Sequence, residues 1–452
     1  MDDGSPAEEG WEDELARWLA PFLERLRRQA PRRWAPFYLN GLILPGERKS
    51  VEPMAARVAP ADTRQLHHFV STSPWPTAPL EAELARTADR PVGGPDAVLV
   101  VDDTALVKQG RRSVGVKRRY CGQLGKKASC QALVSLTLAR GEVPVRVGLR
   151  LACSCPRTGA VTRSVGPRRA CPRRSSVARS GGGSRSTGST ARWLASGARI
   201  GCVLADAECG EAAAFRHGLS ERGLPWAAGI LPTRKVHPAD VTLAFPERKP
   251  TGRPRKHPVP SAASVAAAEL IEARPAAFRA VAWRTGTKGR LQAQFAALRV
   301  RVADDGPVAA RAQHLPGEEA WLVGEHRADG ERECYLANHP ADAPLETLAA
   351  QVKARWVCEQ MHRQMKGELG LGHFEGRGWR GLHHHHAPLG QLAFAFLQHL
   401  RLGGKSAAGR AGAGPPPRPG PPAIRRRILA AFSSVLLRRP HCRQRFEHHL
   451  RL

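Results

Sequence analysis

The chain has 452 residues, of which 42% are hydrophobic, so it is long enough for two or three domains with packed cores. It has no run of ~18 uninterrupted apolar residues, and its acidic start is unlike a secretory signal, so we expect a cytoplasmic protein. Lys and Arg number 70 against 40 Asp and Glu, a net charge of +30, which favours nucleic acid as a partner.

Two compositional points qualify that reading. A GC-rich genome explains the preference for Arg over Lys, but not a surplus of thirty positive charges. The ten cysteines are scattered and contain no pair of CxxC motifs, so neither a zinc ribbon nor a disulfide framework is predicted.

The N-terminal part is predicted to be helical. Residues 1–10 look like a disordered acidic tail, and apolar residues then recur at helical spacing, as at Trp11, Leu15, Trp18 and Phe22. Arginines follow, so residues 11–90 fit a helical DNA-binding domain. An ordinary amphipathic helix with a solvated basic face explains the same pattern, and both readings stay open.

The next segment is predicted to start a sheet. Ala97–Asp103 reads as a buried strand that ends in an acid, and Cys130–Leu138 and Val143–Leu151 read as its antiparallel neighbours, with a turn at Gly141. A ribonuclease-H-like sheet begins in this way. We therefore predict an α/β fold, with a ribonuclease-H-like catalytic domain formed by residues 91–152 and 194–402.

The second half continues that domain. Ile200–Asp206 is again a strand that ends in an acid, residues 232–340 predict a β-rich insertion, and Pro344–Lys366 predicts a helix. Within the insertion, Lys249–His257 is a basic loop that fits DNA contact or a plain linker. Residues 403–424 are a Pro/Gly-rich linker, and residues 425–452 a basic helix and tail.

One stretch does not match its surroundings. Residues 143–205 contain no Asp or Glu, and residues 153–193 are mostly Ser, Arg, Gly and Pro. A disordered loop that binds nucleic acid has this composition. When GC-rich codons are assumed and shifted by one base, however, residues 153–165 read as ordinary globular sequence. We therefore hypothesise compensating frameshifts near 152 and 193.

Three acids are candidates for metal chemistry. Asp103 and Asp206 lie at strand ends, and Glu359 lies on the late helix in the spacing Arg355-x3-Glu359-x6-Lys366. Mg²⁺ and Mn²⁺ prefer carboxylate oxygen, and two such ions can assist phosphodiester cleavage. The alternatives are strand-end caps and a surface Arg–Glu pair worth only ~0.3–0.5 kcal/mol.

Several motifs resemble the bacterial insertion-sequence transposases of the DDE class. They are the runs Val100–Thr104, Ser113–Val116, Tyr120–Lys126, Leu204–Glu208 and Gly286–Arg290. The helix signature of that family is Tyr-x2-Arg-x3-Glu-x6-Lys, which Arg355, Glu359 and Lys366 match. Val352 stands in place of the Tyr, and Cys209 stands where an aromatic residue is usual.

The resemblance implies a site and an activity. It makes Asp103, Asp206 and Glu359 the ligands of two Mg²⁺ or Mn²⁺ ions, with Asp103 preferred to Asp102 because the family acid directly precedes Thr. It assigns DNA phosphate contacts to four basic residues. They are Arg355, Lys366, Lys126 and Lys288. The expected partners are double-stranded DNA, at the element ends and the target, and a second copy in a homodimeric synaptic complex.

The implied reaction is metal-dependent cleavage at insertion-sequence ends followed by strand transfer into target DNA, near the nucleoid. Two alternatives remain. One is a metal-dependent endonuclease of the same fold. The other is a non-catalytic DNA-binding relic, which would follow if the aberrant residues 153–193 inactivate the chain. The histidines at 383–386 invite a metal or DNA role, but they lack a spaced set of partner ligands.

Overall fold

The computed structural model describes residues 10–110, 112–151, 198–245, 258–286, 289–305, 314–403 and 420–437. Several of the sequence predictions therefore fall outside the described residues. They concern the acidic tail over 1–9, the segment 153–193, the basic loop 249–257, Lys288, the linker over 404–419 and the tail over 438–452.

Helices precede the sheet, as the spacing of apolar residues predicts. The first five are α1 (Trp11–Glu24), α2 (Gln29–Ile43), α3 (Val51–Val58), α4 (Thr63–Ser71) and α5 (Ala78–Val92). The later ones are α6 (Ala207–Gly210), α7 (Ala213–Ser220), α8 (Ala267–Glu272), α9 (Leu345–Ala354), α10 (Trp356–Gly367), α11 (Ala387–Leu402) and α12 (Pro421–Leu437). A π-helical segment, Arg380–His386, leads into α11.

The strands fall into an early group and a later group. The early strands are β1 (Ala97–Val107), β2 (Lys117–Cys121), β3 (Lys126–Arg140), β4 (Val143–Leu151), β5 (Cys202–Ala205) and β6 (Trp226–Ile230). The later strands are β7 (Lys235–Pro238), β8 (Leu243–Ala244), β9 (Val259–Pro260), β10 (Val265–Ala266), β11 (Arg279–Gly286), β12 (Gly289–Asp305), β13 (Leu315–His326) and β14 (Arg332–Ala337).

Twelve of these strands form one mixed sheet within the described ranges. Its order is β10-β7-β12-β13-β14-β6-β5-β1-β3-β2, with β11 beside β12 and β4 beside β3. β1 and β5 are parallel, as are β5 and β6, whereas β1 and β3 are antiparallel. The β-rich stretch after residue 232 is therefore not separate, because its strand β14 pairs with β6 in the same sheet.

The N-terminal helices pack against α11 rather than standing apart. The ring centroids of Trp18 on α1 and Phe396 on α11 lie 5.6 Å apart. His399 Nε2 lies 2.8 Å from Glu14 Oε1. One continuous hydrophobic cluster joins these helices to the sheet. Burial of that apolar surface ties the helices to the rest of the fold.

The turns obey local chemistry. Gly141 joins β3 to β4 with a φ of 55°, in the left-handed region that glycine enters without steric cost.

None of the helices in the described ranges combines the length and the apolar character that a membrane span requires.

Candidate metal centre and cleft

Asp102 and Asp103 lie inside β1, and the prediction that the strand ends at Asp103 is wrong. β1 continues to Val107, which pairs with Cys130 of β3. The parallel pairing with β5, however, stops at Val101 opposite Ala205. The two acids therefore occupy the point where β1 and β5 part, which opens a notch in the sheet for their side chains.

Asp206 follows β5 directly, as predicted. Its Oδ1 accepts a hydrogen bond from the backbone N–H of Cys209 at 3.0 Å, so it also caps the short helix α6. That helix sits tightly on β6, because a Cβ at Gly210 would lie 1.9 Å from the carbonyl oxygen of Gly229. The close approach fixes the Asp206 turn against the sheet.

The three aspartates converge. One carboxylate oxygen from each of Asp102, Asp103 and Asp206 lies within 4.8 Å of the others. Asp102 is buried, at 5% exposure, while Asp103 is more open. The structure thus brings both β1 acids to Asp206, although adjacent strand residues ordinarily point to opposite faces.

The convergence of like charges disfavours ionisation. Burial, opposed by Arg355 and reinforced by the nearby Asp206 and Asp103, raises the pKa of Asp102 to about 7. Partial desolvation, reinforced by Asp206 and Glu208, raises the pKa of Asp103 to about 6. Neighbouring carboxylates that repel one another in this way favour a cation between them.

Glu359 reaches this group through Arg355. The predicted helix over Pro344–Lys366 divides into α9 and α10, and Arg355 lies at the junction. Its Nη1 donates to Asp102 Oδ1 at 3.0 Å, and its Nη2 lies 2.7 Å from Glu359 Oε1. The guanidinium therefore links the strand acid to the helix acid, while the Glu359 side chain stays 53% exposed.

A buried polar cluster that the sequence motifs do not predict lies beneath α10. His362 Nδ1 lies 3.8 Å from Asp102 Oδ2, and its Nε2 lies 3.1 Å from Ser135 Oγ on β3. Cys358 Sγ lies 3.2 Å from Thr137 Oγ1. Residues 355, 358, 362 and 366 form a helical stripe of spacing three and four, a signal that connects this face of α10 to β1.

The predicted basic residues occupy different places. Lys366 is half-buried on α10, where burial lowers its pKa and the negative charge of Asp103 acts to raise it. Lys126 is exposed at the start of β3. Arg119 was not predicted, yet its positive charge lies close enough to Asp103 to lower the pKa of that acid.

A cleft of about 280 Å³ extends from the acids towards the later strands. Its walls include the acids Asp206 and Glu359 and the arginines Arg327, Arg332 and Arg355. At its edge the guanidinium of Arg284 lies 3.5 Å from the ring centroid of Trp356, a cation–π contact. The cleft thus offers both acids and cations to a ligand.

The histidine run is part of the core. His385 and His386 have no exposed surface; His385 Nδ1 lies 2.7 Å from the Val70 carbonyl oxygen, and His386 Nδ1 lies 2.8 Å from Tyr38 Oη. Burial lowers the pKa of His385 to about 3 and that of His386 to about 4. These contacts give them a packing role between the helices.

The donor set fits a hard divalent cation. Three carboxylates within 4.8 Å offer the oxygen ligands that Mg²⁺ and Mn²⁺ prefer, and the raised pKa values of Asp102 and Asp103 reflect charge that a cation would neutralise. Glu359 lies outside that group of three, joined to it by Arg355.

A mixed sheet thus carries clustered acids at the parting of two parallel strands. Residues 21–290, more than half of the chain, match the family model of the DDE superfamily endonucleases, and the chain belongs to that family. The match includes Asp102, Asp103 and Asp206, and it ends before Glu359.

Individual relatives are more limited in extent. Over 91 residues the chain is 36% identical to a probable transposase for insertion sequence element IS701 from Microchaete diplosiphon, which covers 20% of this chain and 24% of that protein. The chain thus matches about a quarter of that relative's length. A piggyBac transposase synaptic complex with hairpin DNA aligns with a TM-score of 0.41 and 10% identity, over 96% of this chain and 79% of that one. The resemblance to bacterial insertion-sequence DDE transposases is confirmed by the family and the IS701 relative.

Proposed function

We propose that this protein is a DNA transposase that cleaves the ends of its own insertion sequence and joins them to target DNA. The observation that carries the proposal is the convergence of Asp102, Asp103 and Asp206 within 4.8 Å in a DDE-family chain. The net charge of +30 supports a polyanionic substrate. The similarity to a probable IS701 transposase supports the choice of an insertion-sequence end.

The sheet order supports a ribonuclease-H-like catalytic core. β4, β3 and β1 are successive antiparallel neighbours, and β5 and β6 continue from β1 as parallel strands. α10 packs over the face that carries Asp102, Ser135 and Thr137. This arrangement holds Asp102 and the helix acid Glu359 on one side of the sheet, linked by Arg355.

We assign the metal ligands to Asp103, Asp206 and Glu359, and we assign Asp102 to positioning Arg355. Asp102 is buried and bonded to Arg355, whereas Asp103 is open to the solvent side. Two Mg²⁺ or Mn²⁺ ions bound there would polarise the scissile phosphate and lower the pKa of the attacking hydroxyl or water. Glu359 would turn from Arg355 to the cations, and Arg355 and Lys366 would then meet DNA phosphates.

Substitution of Glu359 tests the assignment. Glu359→Ala should remove Mg²⁺-dependent cleavage of duplex DNA that carries the ends flanking the gene, while binding of that DNA in EDTA stays within about threefold. Glu346→Ala is the matched control, because Glu346 is an exposed glutamate of α9, 62% exposed and paired with Arg279. Full cleavage by Glu359→Ala would refute the site.

The products distinguish the two catalytic alternatives. Labelled element ends joined to a target plasmid indicate a transposase, whereas cleaved ends without joined product indicate an endonuclease of the same fold. Binding without either product, in wild-type protein with all three acids intact, indicates a DNA-binding relic.

The segment 153–193 has its own test. We propose that compensating frameshifts near 152 and 193 replaced a globular stretch that leads from β4 towards β5. A chain in which this segment is restored from the alternate reading frame should cleave at least tenfold faster than the present one. A stop codon in that frame, or equal activity of the two chains, contradicts the proposal.

A further inference from the structure

A two-stranded ribbon projects from the sheet beside the candidate metal centre. It consists of β2 and the first residues of β3, 126–129, and we call it the basic ribbon. β1 accompanies β3 only as far as Cys130, which pairs with Val107. Beyond one further hydrogen bond, from Lys108 N–H to the Ser129 carbonyl oxygen at 2.9 Å, residues 126–129 pair with β2. The ribbon therefore extends beyond the end of β1.

The two faces of the basic ribbon differ. Alternation along a strand places Arg119 and Cys121 on one face, together with Cys130. That face is turned inwards, because Cys121 and Cys130 are fully buried and the charge of Arg119 acts on Asp103. The middle of the inner face therefore packs towards the metal centre, while Lys117 and Lys126 on the same face are exposed.

The outer face carries an exposed aromatic ring between cations. Tyr120 pairs across the ribbon with Lys127, and Arg118 pairs with Ser129. The Tyr120 side chain is 65% exposed, and Arg118 and Lys127 are also exposed. Within the part of the chain that the structure describes, no acidic side chain forms an ion pair with Arg118 or Lys127. These charges are thus free to meet an anion.

We propose that the basic ribbon binds duplex DNA next to the cleaved bond, with its outer face in the major groove. The inference rests on the proposed function for the position of that bond. The major groove accepts a two-stranded ribbon, and Lys and Arg neutralise the phosphates on either side. The Tyr120 ring contacts the groove floor or a sugar, and the burial of its apolar surface there contributes favourable binding free energy.

The strand length gives the position of the contact. On β3, Val134 pairs with Asp103, and Ser129 and Lys127 precede it by five and seven residues. At about 3.4 Å per residue, these are about 17 and 24 Å away. With a base-pair rise of about 3.4 Å, the ribbon meets DNA about five to seven base pairs from the scissile phosphate.

Binding measured in EDTA tests the ribbon without cleavage. The probe is a fluorescent 30-base-pair duplex, titrated with the full chain at several salt concentrations. Lys127→Ala should reduce the slope of log affinity against log salt by about 0.9, because one phosphate contact is lost. Tyr120→Ala should weaken binding about tenfold at every salt concentration with the slope unchanged, because it removes an apolar contact.

Two variants serve as controls. Tyr120→Phe keeps the ring and should bind as wild type does. Lys235→Ala removes an exposed lysine from β7, near the opposite edge of the sheet, and should keep the wild-type slope. Circular dichroism and the melting temperature confirm that each variant is folded.

Three outcomes would overturn the proposal. One is binding within twofold of wild type, with the same salt slope, for both Tyr120→Ala and Lys127→Ala. Another is an equal change in Lys235→Ala, which would show that total charge rather than the ribbon matters. The third is that Tyr120→Ala and Lys127→Ala lose affinity for a single-stranded 30-mer but not for the duplex. Since no result depends on cleavage, failure of the Glu359 assignment leaves this test intact.

Discussion

Asp102→Asn should stabilise the metal-free protein at neutral pH. The pKa of Asp102 rises from 3.8 to about 7 in the folded chain, so the folded state resists ionisation of this buried carboxyl. A shift of about three units corresponds to about 4 kcal/mol at 1.36 kcal/mol per unit. Asn removes the charge, and its side-chain oxygen can still accept the hydrogen bond from Arg355.

The sign of the pH dependence follows from the raised pKa. Below about pH 3 the carboxyl is neutral in both the folded and unfolded states, so Asp and Asn should give similar stability. As pH rises towards 7, the unfolded chain ionises first and wild type loses stability. The advantage of Asn should therefore grow from near zero at pH 3 to at most about 4 kcal/mol at pH 8.

Urea unfolding in EDTA, at pH 4, 6 and 8, measures this difference. Asp342→Asn is the control, because Asp342 is exposed in a loop and its substitution should give no pH-dependent gain. Mg²⁺ at ten times its Kd should stabilise wild type by about 1.4 kcal/mol, and it should stabilise Asp102→Asn by a similar amount because Asp102 is not assigned as a ligand. An Asp102→Asn variant that is no more stable than wild type at pH 8 refutes the reasoning.

Three further predictions concern packing and buried charge. Gly210→Ala places a Cβ 1.9 Å from the Gly229 carbonyl oxygen, so it should lower the free energy of unfolding by about 1–3 kcal/mol. In a melting assay it should also weaken the stabilisation by Mg²⁺, and an unchanged melting temperature contradicts the prediction. The buried Arg146 nitrogens lack hydrogen-bond partners among the described residues. Arg146→Met should therefore leave the unfolding free energy measured in urea unchanged or raise it by up to about 4 kcal/mol. A decrease above about 2 kcal/mol contradicts the prediction. In the folded protein His386 stays neutral at pH 5, because its pKa is about 4. The unfolded chain takes up a proton on this histidine between pH 7 and pH 5, so wild type should lose about 2 kcal/mol of unfolding free energy over that range. His386→Gln should lose less unfolding free energy, and equal acid sensitivity of the two proteins would contradict the prediction.

The sequence predicted the elements better than their ends. The apolar run before Asp102 identified β1, because a strand buried on both sides reads as a continuous hydrophobic stretch. The acids looked like its end, but the strand continues to Val107 through pairing with β3. Where β1 leaves β5 depends on a partner about a hundred residues away, and no local pattern encodes that.

Helix α10 illustrates the same limit. Helical spacing predicted one helix through residue 366, and neither Gly nor Pro marks a break near Arg355. The junction there becomes intelligible only in three dimensions, where the guanidinium joins Asp102 to Glu359. The histidine run was ambiguous for a related reason, because its neighbours Tyr38 and Val70 come from distant helices.

The pairing of β14 with β6 makes the later strands inseparable from the core. A truncation that deleted β7 to β14 would leave β6 as a bare edge, with unpaired N–H and C=O groups that invite aggregation. Hydrogen-bonded strands also transmit displacement stiffly, so a pull on β13 would reach the Asp206 turn through β14 and β6.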